Sequence, residues 1–195
     1  MQLDFTTIFP LRRGRVHEAF GPAAAAFGAI VARVTQGHVL WIREEWAHEM
    51  INPVGLAPLL DPGQLLVACA ASQSDILAVA EEALRDGALA CVVIDITRPL
   101  NLREGRRLQL AAKAGGTTGL CLIPEGMGSN AAETRWRAQP VFDPREGDST
   151  LMQWEIKKNK SGTIGAWNVR WSQKTHCVHV VSPVGLRPGA EGATG

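Results

Sequence analysis

From residue 15 to residue 123, short apolar runs alternate with helix-length segments, and this alternation constrains the fold more than any other feature of the chain. Residues 15–20 repeat with period 2 and read as a strand. Gly21-Pro22 follows, then a run of helix formers over 23–35. Residues 38–42 and 65–69 read as a second and a third strand. The apolar run 89–96, interrupted by Asp95, is a fourth, and 118–123, stopped by Pro124, a fifth. Ser72 opens an amphipathic helix with Ile76, Val79, Ala80 and Leu84 on one face and Gly87 as its stop. A further helix covers 101–114 and ends at Gly115-Gly116. Buried strands separated by helices need crossover connections. The pattern therefore predicts an α/β fold, a mostly parallel sheet covered by helices on both faces.

The pattern changes after Gly126. Segments 135–142, 152–158, 166–171 and 176–181 alternate apolar with polar and have no helix between them, and Lys160-Ser161-Gly162-Thr163 reads as a hairpin turn. Antiparallel strands are thus expected at the C-terminal edge of the sheet. Residues 1–13 read as a short N-terminal extension, 14–182 as one domain, and 183–195, rich in Gly, Ala and Pro, as a disordered tail.

A chain of 195 residues with 46% hydrophobic content can bury a core without disulfide staples. Its 20 Lys+Arg against 19 Asp+Glu exclude a global basic field, so any nucleic-acid contact must come from local patches. No two of the four cysteines form a C-x-x-C pair. Cys69, Cys91 and Cys121 sit inside apolar runs, which reads as buried, reduced thiols. The first fifteen residues lack a basic segment leading into an apolar one, and the apolar stretch at 20–34 is too short to span a membrane. A soluble, cytoplasmic protein is expected.

A strand followed by glycine and helix is where a phosphate-binding loop belongs, because helix N-termini offer free N–H groups and a positive dipole. The pattern G-x-x-x-x-G-K-[ST] would begin at Gly21-Pro22. Ala26 stands where its second glycine should be, Phe27 replaces the lysine and Gly28 the hydroxyl that holds Mg²⁺. An apolar loop without a cation cannot hold a triphosphate, so these residues read as a degenerate phosphate loop and a tight turn into a buried helix. Asp95 occupies the position of a metal-orienting aspartate, but its partners are missing. It reads as a vestige that caps or turns the chain.

Three stretches carry a resemblance. The first is 14–22, Gly-Arg-Val-His-Glu-Ala-Phe-Gly-Pro, with the strand ending at Asp95. The second is 106–116, which holds Arg-Leu-Gln-Leu-Ala-Ala, with the strand after it. The third is Thr134-Arg135-Trp136-Arg137 with Trp154-Glu155-Ile156-Lys157-Lys158-Asn159-Lys160. Together they resemble the RecA recombinase core, and more closely the RecA-related ImuA family and its relative SulA. The resemblance covers roughly 14–172. It implies a RecA-type fold and a non-enzymatic role in damage-induced (SOS) translesion synthesis, through contacts with RecA, an ImuB-like polymerase homologue and a second replicative-type polymerase. A SulA-like inhibitor of division that binds FtsZ and a stand-alone single-stranded DNA binder are the alternatives. Glu44 or Glu45 would match the catalytic glutamate of recombinases, while Pro124-Glu125 stands where their phosphate-sensing glutamine lies.

Other constellations are weaker. His48-Glu49 suggests H-E-x-x-H, but Asn52 takes the last position. His176 and His179 read as exposed edge residues and Ser129 as part of a flexible loop. No nucleophile, metal site or cofactor is assigned. Positive charge is concentrated in Arg98, Arg103, Arg106, Arg107 and Lys113 against Glu104. A second cluster is Lys157, Lys158, Lys160, Arg170 and Lys174 against Glu155, interleaved with Trp154, Trp167 and Trp171. These read either as a solvated helix face with tryptophans packed under a hairpin, or as a surface for a partner or DNA. Arg103, Arg106 and Arg107 share a helical face. With Arg135, Trp136, Arg137, Lys157, Lys158 and Lys160 they are the candidate partner or DNA contacts.

Overall fold

A computed structural model describes residues 5–47, 51–143, 149–162 and 164–184. The expected disordered tail and the hairpin residue Thr163 fall largely or wholly outside them. The strands are β1 (Val16–Phe20), β2 (Val39–Glu44), β3 (Leu65–Ala70), β4 (Cys91–Asp95), β5 (Thr118–Leu122), β6 (Thr134–Pro140), β7 (Ser149–Asn159), β8 (Ala166–Ser172) and β9 (Cys177–Pro183). They form one sheet in the order β3-β2-β4-β5-β1-β6-β7-β8-β9. From β3 to β6 all pairs are parallel, and from β6 to β9 all are antiparallel. The antiparallel part therefore begins one strand later than the sequence pattern places it. β6 is reached without a helical crossover but lies parallel to β1.

The helices are α1 (Ala24–Thr35), the single turn α2 (Pro53–Leu56), α3 (Gln73–Asp86) and α4 (Leu102–Gly115). α3 starts at Ser72, whose hydroxyl accepts from Asp75 N, and stops at left-handed Gly87. α4 starts in a capping box between Asn101 and Glu104 and stops at left-handed Gly116. These two helices cover one face of the sheet. Ile76, Leu77, Ala80 and Leu84 of α3 and Leu108, Ala111 and Ala112 of α4 pack on Val92, Ile94 and Cys121. The buried stripe of α3 includes Leu77 rather than the expected Val79, which is exposed. α1 covers the other face. It is apolar on nearly all sides because Phe5, Phe9, Leu11 and Leu60 join it in the same core as Trp136, Trp154 and Trp167. Among the described residues no helix is long and apolar enough to cross a membrane.

The edge position of β3 corrects the expectation for Cys69. With a neighbour on one side only, β3 leaves Cys69 exposed, whereas Cys91 and Cys121 on central strands are buried and Cys177 at the opposite edge is exposed. Burial pushes the Cys91 thiol up to about 12 and raises that of Cys121 as well. A thiol reagent at neutral pH will therefore label two cysteines of the native protein quickly. The other two will react only on unfolding, and four equivalent rates would contradict this arrangement.

At the centre of the sheet, His17 is buried between Thr134 and the chain before β1. Its Nδ1 lies 2.6 Å from Thr134 Oγ1 and its Nε2 lies 3.0 Å from Arg12 O. Trp136 Nε1 donates to the same hydroxyl at 2.8 Å, so Thr134 donates to Nδ1 and Nε2–H donates to the carbonyl. Burial favours this neutral imidazole and lowers its pKa to about 4. The unfolded state therefore binds the extra proton first. Stability is complete above about pH 6.5 and declines as pH falls towards 4, by about 3 kcal/mol in all. Urea unfolding of the wild type and of His17→Gln across that range tests this, since the variant lacks that part of the slope.

Candidate functional site

The parallel strands β1, β2, β4 and β5 end at Phe20, Glu44, Asp95 and Leu122, all on one side of the sheet. In open α/β sheets this is the side where ligands bind. A groove of about 470 Å³ lies there, lined by Ala24, Ala25, Trp41, Arg43, Asp95 and Leu122 among others.

The chain between β1 and α1 is only Gly21-Pro22-Ala23. Gly21 has φ 98°, and a Cβ on it would lie 2.6 Å from the carbonyl oxygen of Ala138 in β6. The same carbonyl accepts from Ala23 N at 3.1 Å, and Ala24 N donates back to Gly21 O. The residues that would wrap a phosphate, 24–26, are already the first turn of α1. Phe27, at the lysine position, is fully buried, 4.7 Å from the Trp154 ring edge-to-face and 5.6 Å from Trp136. Gly28 faces Leu120, Leu122 and Trp41 in ordinary contact.

Asp95 does not simply cap a turn, as the sequence suggested. Its Oδ1 accepts from Trp41 Nε1 at 3.0 Å, and its Oδ2 is 3.5 Å from Arg43 Nε. A protein cation thus stands beside the carboxylate at the end of β4. Trp41 and Arg43 are the residues that reading the sequence missed. The visible signal was their alternation on β2, which aims both at one face. Glu44 is buried and accepts from Thr97 Oγ1 at 2.7 Å, which ties it to the segment after β4. Glu125 lies 4.0 Å from Arg137 Nε on the surface.

The candidate contact residues separate into two groups. Trp136, Trp154 and Trp171 are fully buried and Trp167 nearly so, because their strand positions all point into the core that α1 shares with Phe5, Phe9 and Leu60. Trp136 therefore offers nothing to a partner, and no base-stacking platform is formed by these four. Arg135 is structural too. Its Nε bonds Glu18 Oε2 at 2.7 Å and its Nη2 bonds Ser129 O at 2.8 Å, while Ser129 N donates to Glu18 Oε1. The guanidinium lies directly over Gly128, where a Cβ would overlap it. Ser129 is accordingly buried and fixed rather than part of a flexible loop.

Lys158 Nζ donates to Asn130 O and Ala132 O at 2.7 and 2.8 Å, and Lys160 Nζ to Ala131 O at 2.7 Å. Desolvation, and then the nearby Arg135, lower the Lys158 pKa. These side chains staple the connection from β5 to β6. Lys157 pairs with Glu155, and Arg107 turns from the shared helical face to Glu81 of α3 at 2.6 Å. Arg103 and Arg106 remain exposed on α4. His176 lies in the turn before β9 and is exposed, as is His179. His48 and Glu49 lie outside the described residues. Among the described residues no group of three or more His, Cys, Asp or Glu is placed to hold a metal.

Glu18 is almost fully buried, so its charge depends on Arg135. Arg135→Ala should lower unfolding stability by about 3 kcal/mol or more, as expected for an orphaned buried carboxylate. Lys157→Ala should change it by less than about 0.5 kcal/mol. Equal, small effects of the two would mean that Arg135 is a surface residue after all.

No protein-family model matches the sequence, and no curated protein matches it significantly. Among solved structures the chain is similar to a crystal structure of the RadB recombinase, with a TM-score of 0.60 over 84% of this chain and 90% of that one, at 13% identity. At this identity the likeness is one of architecture, and the fold of the chain is RecA-like.

Proposed function

We propose that this chain is a non-catalytic, RecA-related interaction protein that neither binds nor hydrolyses nucleotide. On this reading it acts in damage-induced translesion mutagenesis by contacting RecA, an ImuB-like protein or a second replicative-type polymerase. The observation that carries the first half is the geometry after β1. The helix begins at Ala24, Ala23 N and Ala24 N are bonded within the protein, and Phe27 is packed into the aromatic core. A phosphate cradle needs a cation reaching the β- and γ-phosphates, and at that position the chain carries the fully buried Phe27 ring instead. The Trp41–Asp95–Arg43 arrangement supports the same reading, since the cation already beside Asp95 would repel Mg²⁺. The second half rests on the resemblance of 14–22, 106–116, 134–137 and 154–160 to ImuA, with which a RecA-like fold is consistent.

Titration with a fluorescent ATP analogue in Mg²⁺ tests the first half. No saturable change is expected up to about 1 mM, equivalent to an affinity weaker than about −4 kcal/mol. Mg²⁺-dependent binding in the micromolar range would overturn the reading of Gly21, Phe27 and Asp95. For the pathway, RecA filaments on single-stranded DNA are measured with and without the protein, alongside capture of the two polymerase partners. Unchanged filaments and no capture would sink it.

A further inference from the structure

The described arginines of this protein are, with few exceptions, engaged. Arg12, Arg15, Arg43, Arg85, Arg98, Arg107, Arg135, Arg137 and Arg170 each lie within 4.0 Å of a carboxylate. The outer face of α4 is different. Arg103, Arg106 and Lys113 are exposed there and form no ion pair with a described residue. Glu104, the acidic residue of that helix, is already held by Arg98 and the helix cap. The same face carries two large apolar side chains in solvent, Leu102 at 49% and Leu110 at 67% exposure. Leu102, Arg106 and Leu110 recur at i, i+4 and i+8, so they form one stripe with the cation between the leucines.

The stripe borders a groove of about 480 Å³ whose far wall is Asn130, Ala131 and Lys160. That wall is rigid. Gln109 Nε2 donates to Val16 O and Ala131 O, Gln109 Oε1 accepts from Val16 N, and Lys160 Nζ is fixed on Ala131 O. The groove is therefore built from firmly held parts and combines the two leucines with the positive charge of Arg106 and Lys160.

We infer that the α4 groove docks an acidic amphipathic helix of a protein partner, with Leu102 and Leu110 receiving its apolar face and Arg103, Arg106 and Lys113 its carboxylates. The two leucines lie about 12 Å apart along α4, which matches apolar anchors two turns apart on the incoming helix. Charge complementarity selects an acidic segment, and the leucines select a protein over a nucleic acid. Phosphates would be drawn to the cations but would leave both leucines without apolar cover. No exposed aromatic ring lines the groove for base stacking. This deepens the reading of the chain as an interaction protein by naming a surface and the chemistry of what it takes.

The probe is a fluorescein-labelled helical peptide of Leu, Ala and Glu with its leucines on one face, followed by anisotropy with the full chain. Saturable binding is expected, at least tenfold weaker for Arg106→Glu and about fivefold weaker for Leu110→Ser. A scrambled peptide of the same composition should also bind at least tenfold more weakly. Both residues are solvent-exposed, and thermal melts confirm that the variants fold. Absence of saturable binding, or equal binding by wild type and both variants, would overturn the inference. So would displacement of the peptide by an oligo-dT strand whose own affinity is indifferent to Leu110→Ser, since the groove would then serve nucleic acid. If the peptide binds while RecA and the polymerases are not captured, the groove stands and the pathway falls. The reverse pattern retires the groove alone.

Discussion

The packing of Phe27 against Trp136 and Trp154 is the contact on which the rest of the molecule depends. It joins the first turns of α1 to the two strands that begin the antiparallel ribbon, and Phe9 and Phe5 extend the cluster to the chain before β1. Aromatic side chains bury large areas, and removing one from a core costs on the order of 3–5 kcal/mol. With the ring locked in place, α1 has to start close to the sheet. The connection from β1 is then limited to three residues, and it lies against Ala138 of β6. The end of β1 and the start of α1 are thereby part of the core.

The positive charge of the C-terminal half follows a related logic. Arg135, Lys158 and Lys160 aim at carbonyl groups of residues 129–132 and at Glu18. The connection between β5 and β6 has no regular structure to satisfy its own backbone, and these cations do so instead. The basic residues of 135–137 and 157–160 are thus in large part an internal brace. Their surface components are Arg137 and Lys157, each paired with a neighbouring glutamate.

The parallel core was legible because its signals are local. Ser72, Gly87, Asn101 and Gly116 mark helix ends by cap chemistry, and runs such as Cys91-Val92-Val93-Ile94 can only be buried strands. That Phe27 falls where the phosphate-loop pattern asks for lysine was equally plain, although the depth of its burial was not. What remained hidden depended on which strand lies at an edge and which face each residue takes. Cys69 sits in as apolar a run as Cys121, yet β3 has one neighbour and β5 has two. A stretch such as 152–171 shows lysines and tryptophans side by side, and only the sheet separates them onto opposite faces. The pairing of Asp95 with Trp41 and Arg43 was hidden for the same reason, since it spans 54 residues and two strands.

The position of β1 also governs when the protein can take shape. The first strand made is the middle strand of the sheet, and both of its neighbours lie more than a hundred residues downstream. Val16 pairs with Gly119 and Glu18 with Arg135. Until the ribosome has delivered residues 118–140, His17 and Glu18 have no hydroxyl or guanidinium to meet, and Phe27 of α1 has no Trp136 to pack on. Contacts of such long sequence separation form slowly. An emerging chain therefore carries an apolar helix and an unpaired strand through most of its synthesis, and exposed surface of that kind makes an incomplete chain prone to aggregate.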